Sequence, residues 1–153
     1  AGVQTLKLMR LPLVLLVPRR LKISSPEELW RDGRPQPQLI SLPATETLTI
    51  LFQKGLKRHG VTWPVGIEAS SMELITRYVA NGDGVGVSVL VPHVVRHPRV
   101  KILPLEGFAP VEVAALWTGE AAPLLRTMLD EAQRYIRENW PNAALPEQRP
   151  KLG

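Results

Sequence analysis

An α/β fold built on a largely parallel sheet is the architecture that this 153-residue sequence predicts. Three observations predict it. Short apolar runs rich in Val, Leu and Ile alternate with longer stretches whose apolar residues recur at helical spacing, as strands and helices do along a parallel sheet. The most apolar run, Leu11-Pro-Leu-Val-Leu-Leu-Val-Pro18, is punctuated by prolines and contains no polar side chain, as befits a strand buried on both faces. Finally, 15 Pro and 11 Gly divide the chain into many short elements joined by turns.

Ala1 to Arg10 offers no helix or strand signal comparable to the apolar run that follows. That run is far too short to span a bilayer, and Arg19-Arg20 directly after it, with no A-x-A cleavage site, argue against a signal peptide. Ser25-Pro26-Glu27-Glu28 has the form of a capping box opening a short helix through Trp30, and residues 31–38 (RDGRPQPQ) read as a polar loop. Leu39 to Leu42 is a short strand. From Thr45 to Arg58 the residues Leu48, Leu51, Phe52 and Leu56 mark a helix, with Thr45 as its N-cap and Gly60 as its stop.

Val65 to Glu68 is the next strand. Ser70-Ser-Met-Glu73 is a second capping box, leading into a helix that carries Leu74, Ile75, Tyr78 and Val79 inward and ends at Asn81-Gly82. Gly84 to Val91, Val100 to Leu103 and Val111 to Trp117 are further strands. Pro123 to Asn139 is the longest helix, with Leu125, Met128, Leu129, Ala132 and Ile136 on one stripe and Pro141 beyond its end. Residues 142–153 read as an extended or mobile tail. No internal repeat is visible.

Composition narrows the function classes. With 44% hydrophobic and 22% charged residues the chain is an ordinary globular one. Having no Cys, it has no disulfide framework, no thiolate nucleophile and no Cys-ligated zinc. The net charge of +5 raises the prospect of a nucleic-acid or membrane partner. The basic residues are dispersed along the sequence, however, in the groups Arg19, Arg20, Lys22; Lys54, Lys57, Arg58; and Arg96, Arg99, Lys101, without interleaved aromatics, and read as solvated faces.

The stretch Ile67 to Pro92 (IEASSMELITRYVANGDGVGVSVLVP) resembles the effector-binding domain of the LysR-type transcriptional regulators. The matching features are Glu68, Ser70, Ile75, Val79, Gly82, Gly84 and Pro92: a strand, a Ser-started helix, a Gly-containing turn and a strand ending in Pro. Leu13 to Pro18, Leu39 to Pro43, and the series Leu103-Pro-Leu, Val111 to Trp117 and long helix agree in the expected order, so that the likeness spans roughly residues 11–138.

The resemblance implies a Rossmann-like subdomain of the type 2 periplasmic-binding-protein fold, with a mostly parallel five-stranded sheet flanked by helices. The winged helix-turn-helix and most of the first effector subdomain have no counterpart here. The implied division is residues 1–20 as a remnant of the first subdomain and its crossover strand, and 21–118 as the second subdomain. Residues 119–140 are then a helix returning toward the first subdomain, and 141–153 a flexible tail.

Sheets of this kind bind ligands at the carboxyl ends of their strands, where helix N-termini gather. The loop Ser41, Pro43, Ala44, Thr45, Glu46, Thr47 lies at such a place, with backbone N–H groups and hydroxyls to offer an effector. Ser70 and Ser71 begin the neighbouring helix, and the resemblance implies that a hydroxyl there faces the effector. Gly86 and Ser88 are candidates for close approach of the chain to a ligand. Glu46 and Glu68 beside the helix starts satisfy the dipoles themselves, which favours a zwitterionic or neutral ligand over a simple acid.

Other motifs are weaker. Gly82-Asp-Gly84-Val-Gly86 ends a helix and opens a strand, the reverse of a dinucleotide-binding fingerprint. His93-Val-Val-Arg-His97 has i, i+4 spacing, but no Glu follows its first His and Pro98 interrupts it. No nucleophile triad or G-x-S-x-G is present.

The expectation is therefore a binding module and not an enzyme: a cytoplasmic small-molecule sensor without cofactor or metal. It would shift a population between arrangements of a regulator that meets DNA through a separate N-terminal domain. Self-association into dimers and tetramers is implied, with apolar surface exposed around Leu13 to Val17, and no membrane partner. The alternative is a solute-binding protein for transport of a small polar metabolite, which shares the architecture.

Overall fold

In a computed structural model, which describes residues 2–30, 33 and 35–145, the elements follow one another as strand β1 (Val3–Leu11), β2 (Leu13–Pro18), β3 (Leu39–Ser41), helix α1 (Thr47–Arg58), β4 (Val65–Glu68), α2 (Met72–Asn81), β5 (Val85–Val89), β6 (Val100–Pro104), β7 (Val111–Thr118) and α3 (Pro123–Asn139). A single 3₁₀ turn, Pro26–Leu29, stands where the first short helix was expected. The Glu28 carboxylate closes it by accepting from the N–H groups of Ser24 and Ser25 at 3.0 and 3.2 Å. Residues 31, 32 and 34 of the expected polar loop lie outside the described residues.

Contacts divide the chain into two compact units, one of residues Pro12–Val111 and one of the segments before and after it. The expected divisions at residues 20 and 118 lie away from these boundaries. The reason is hydrogen bonding: β2 is laddered on both sides within the first unit, whereas β1 and β7 pair with each other.

The unit Pro12–Val111 holds a five-stranded sheet in the order β4-β3-β5-β2-β6. The expected five-stranded sheet flanked by helices is there, but it is mixed and its parallel character is partial. β3 runs parallel to β4 and β5, but β2 is antiparallel to both its neighbours, so four strands point one way and β2 opposes them. An antiparallel strand was not legible in β2, because a strand covered on both faces is continuously apolar whichever way it runs.

Every residue of β2 is buried, and alternate ones serve opposite faces. Leu13, Leu15 and Val17 join Leu39, Val85, Val87 and Leu103 beneath α1, whose Leu48, Phe52 and Leu56 close that layer. Trp63 completes it, donating from its indole to the Pro37 carbonyl at 2.9 Å and meeting Trp30 and Phe52 edge-on. On the other face Val14, Leu16 and Ile40 pack against Ile75 and Val79 of α2. The expected exposure of Leu13 to Val17 is overturned, since none of the five exceeds 6% exposure. A central strand between two helical layers has no face left for solvent.

In the second unit β1 and β7 form a two-stranded sheet. β1 went unread because its period-2 signal is broken where Leu8 and Met9 adjoin, and Val3 to Thr5 are exposed. Glu112 on β7 receives Lys7 Nζ at 2.8 Å and Arg10 Nε at 3.7 Å. Ile136 of α3 is buried, but Met128, expected on the same stripe, is 60% exposed. Residues 142–145 are not a free tail: Arg10 N–H donates to the Ala143 carbonyl at 2.8 Å and Met9 bridges to Ala144. Residues 146–153 lie outside the described residues.

Candidate functional site

β3 and β4 are neighbours and parallel, and their last residues, Ser41 and Glu68, are in register. The chain leaves β3 for α1 on one face of the sheet and leaves β4 for α2 on the other. Adjacent parallel strands whose helices depart to opposite faces open a crevice at their carboxyl ends. Both helix N-termini therefore start at this one sheet edge. The end of β5 borders it as well, with Val89 beside Leu13 and the Leu90 N–H donating to the Pro12 carbonyl at 2.9 Å.

Most of the expected residues come together here, though with altered roles. Helix α1 starts at Thr47, with Glu46 at the N-cap position and no side chain capping it, so Thr45 is not the cap. Thr45 instead lies in a turn closed by Glu46 N–H to the Pro43 carbonyl at 3.0 Å, and the turn is tight enough to carry the chain from strand to helix without a cap. Thr45, Glu46 and Thr47 are exposed and Pro43 half-buried. An uncapped start leaves the first-turn N–H groups of α1 without intrahelical partners.

At α2 the cap is Ser71, one residue later than expected. Its hydroxyl accepts from Leu74 N–H at 3.2 Å. Glu73 does not reach back to form a capping box with Ser70; it pairs with Arg77 one turn on, at 2.9 Å. Ser70 is consequently an exposed hydroxyl on the loop before the helix. The expected stop at Gly82 is confirmed: it adopts φ +89°, where a side chain is strained, and its N–H returns to the Tyr78 and Val79 carbonyls.

Ser41 and Gly86 are interior residues. The Ser41 hydroxyl is fully buried and lies 2.9 Å from Thr49 Oγ1, which itself donates to the Leu42 carbonyl at 2.9 Å. Thr49 has only one proton to give, so Ser41 donates to Thr49. A Cβ on Gly86 would collide with Cγ2 of Ile75 and Cγ2 of Val79, so this glycine admits α2 to the sheet. Ser88, also buried, is in register with Val14 on the α2 face, toward the carboxyl end of β5.

Thr49 is the participant that sequence reading missed. Its only signal was a β-branched hydroxyl residue in the first turn of a helix, a place where a side chain turns easily to nearby backbone. Electrostatically the edge is mixed. Two helix N-termini supply partial positive charge, and the exposed carboxylates of Glu46 and Glu68 stand beside them. Among the described residues no group of three or more His, Asp or Glu is placed to hold a metal ion. The crevice thus offers hydrogen bonds and fixed charge: equipment for binding.

The sequence pattern that defines the LysR substrate binding domain matches residues 1–137. The chain belongs to this family. Solved LysR-family structures share its fold. HinK, a LysR family transcriptional regulator from Pseudomonas aeruginosa, superposes with a TM-score of 0.71 at 18% identity, over 88% of this chain and 49% of its own. The regulatory domain of CcmR from Synechocystis, in complex with 2-PG, gives 0.68 at 20% identity, over 87% and 66%. The effector binding domain of QuiR, in complex with shikimate, gives 0.69 at 17%, over 89% and 66%. The chain spans about half the length of HinK. No curated protein sequence matches it. The LysR substrate binding domain is a regulator's effector-binding domain, of the type 2 periplasmic-binding-like fold. Among the described residues, no helix is long and apolar enough to cross a membrane.

Proposed function

We propose that this chain senses a small-molecule effector for a LysR-type transcription regulator, holding it at the carboxyl edge of the five-stranded sheet. The observation that carries this reading is the divergence of α1 and α2 from the adjacent ends of β3 and β4, within a chain that belongs to the LysR substrate binding domain family. Thr45, Thr47, Ser70 and Ser71 supply hydroxyls, and the first turns of both helices supply N–H groups. Pro43 shapes the loop. Ser41 acts indirectly, tying the loop to α1 through Thr49. Gly86 sets the seat of α2, and Ser88 lines the same edge from β5.

Glu46 and Glu68 make the preferred ligand one that carries an amine or no net charge, since a simple dianion would meet two carboxylates. The effector is bound and released unchanged, its binding favouring one arrangement of the regulator over another. Such a regulator works where the DNA is, in the cytoplasm, and no cofactor enters. Copies of the chain associate through the outer face of α3, where Leu124, Met128 and Tyr135 are 73%, 60% and 55% exposed. Sedimentation at rising concentration checks this, and a monomer throughout would refute it.

A thermal-shift panel of small carboxylates, amino acids, amines and sulfate tests the effector reading. A ligand at 100 times its dissociation constant stabilises the fold by about 2.7 kcal/mol. The expected result is a shift with an amine-bearing or neutral compound, weakened in Thr45→Ala and in Ser70→Ala. A clear preference for simple dianions would refute the charge assignment. A shift unaffected by both substitutions would refute the site.

A further inference from the structure

We propose that the edge of the five-stranded sheet opposite the effector crevice is a docking surface for the phosphate backbone of duplex DNA. It goes beyond effector binding, and rests on what the β2–β6 ladder does to the charge distribution. Two of the three basic groups that are separate in sequence become neighbours. β2 ends at Pro18 beside Val100, the Arg19 N–H donates to the Arg99 carbonyl at 2.9 Å, and Lys101 is in register with Val17. Arg19, Arg20, Lys22, Arg99 and Lys101 are thus gathered at one end of the sheet, with Arg96 in the segment that leads into β6, and all but the half-buried Lys101 are exposed.

Main-chain carbonyls hold part of this set in place. Arg19 Nε donates to Pro98 at 2.7 Å, an Arg20 terminal nitrogen to Gly82 at 3.3 Å, and Lys101 Nζ to Leu21 and Ile23. A guanidinium has five N–H donors, so each anchored Arg retains most of its donors for a partner. None of the six forms an ion pair among the described residues; the acids Glu112, Glu73 and Glu131 are paired elsewhere. Two acids lie close by: Asp83, next to Gly82, and Glu28, whose carboxylate accepts from Ser24, the residue after the Ile23 that holds Lys101. Six cations, three of them anchored, outnumber these acids, and such a surplus suits a regular polyanion; duplex DNA presents one charge per about 1.7 Å of its axis. The segments 19–22 and 96–101 contain no Phe, Tyr or Trp, the rings on which unpaired bases would stack best.

The test is fluorescence anisotropy of a labelled 20-base-pair duplex of arbitrary sequence, titrated with the whole chain from 50 to 200 mM salt. Weak binding, with a dissociation constant of roughly 1–100 μM and a steep salt dependence, is expected. Lys22 and Arg99 have side chains without a hydrogen bond or ion pair among the described residues, so Lys22→Gln/Arg99→Gln should keep its melting temperature. It should weaken binding several-fold and reduce the salt slope by about 2. The charge-matched Lys54→Gln/Lys57→Gln on α1 should bind as the unsubstituted chain does. Absence of binding at 50 mM salt would overturn the proposal. So would equal weakening by both double substitutions, which would mean net charge alone. Tighter binding of a poly-glutamate peptide than of the duplex would overturn it in favour of an acidic protein partner.

Discussion

Thr49 decides how the loop after β3 is held. It accepts a hydrogen bond from the fully buried Ser41 and donates its own to the carbonyl of half-buried Leu42, so one side chain satisfies both groups. Removing it strands both, whereas removing the Ser41 hydroxyl leaves the Thr49 to Leu42 bond intact. Thr49→Val should therefore destabilise the chain by about 1–3 kcal/mol, and Ser41→Ala by less, about 1 kcal/mol. Urea unfolding gives the order, and a Ser41→Ala cost equal to or above that of Thr49→Val would contradict the bonding sequence. Gly86 carries a steric argument of the same sharpness. Gly86→Ala pushes a methyl into Ile75 and Val79, an overpacking cost of about 1–3 kcal/mol. In the double mutant with Ile75→Ala the two costs should not add, because the added methyl then occupies space the isoleucine vacated.

Elements differ in what makes them stable. β2 is held by ladders on both sides and buried throughout, whereas β1 has β7 as its partner strand and an exposed ion pair across the ladder. The Lys7 ammonium, by its hydrogen bond and then its charge, with Arg10 adding to it, holds the Glu112 carboxyl below its ordinary 4.5. A carboxyl whose folded pKa is lowered contributes stability above its unfolded pKa and loses that contribution as pH falls through the folded value. The melting temperature of Glu112→Gln should thus lie slightly below that of the parent at pH 7. The difference should close as pH falls through and below about 4.5. A gap of constant size from pH 7 to pH 3 would show that the ion pair contributes nothing.

On the scale of the whole molecule, apolar burial is concentrated in the unit Pro12–Val111. Both core layers lie there, while Leu11, Ile136 and Ala143 are the buried hydrophobics of the other unit among the described residues. Amide exchange should follow this asymmetry. The N–H groups of β2 and β5 should be the slowest, exchanging only on global opening, and those of β1, β7 and α3 should exchange at least about tenfold faster. Equal protection across the two would mean that the chain opens as one cooperative body.

Periodicity and punctuation by themselves determined the order of the elements from β2 to α3, the bounds of α3 at Pro123 and Asn139, and the stops at Gly60 and Gly82. Each of these rests on local physics: helical spacing of apolar residues, a proline that has no N–H, a glycine free to take positive φ. The family resemblance was legible for the same reason, since it is carried by contiguous residues between Ile67 and Pro92. The loops at the site were legible too, as polar segments between a strand and a helix. Tertiary structure alone decided the rest. Which way β2 runs depends on its neighbours, because a strand apolar on both faces carries no directional signal. The cap of α2 passed from Ser70 to Ser71 because two adjacent serines offer the same hydroxyl and only the chain's exit angle from β4 selects between them. Ser41 found its partner eight residues away on a helix, and Gly86 owes its lack of a side chain to a helix packed on it from outside its own strand. The gathering of Arg19 and Arg99 belongs to the same class: residues 80 positions apart are joined by a strand ladder, and no local pattern in either segment announces the other.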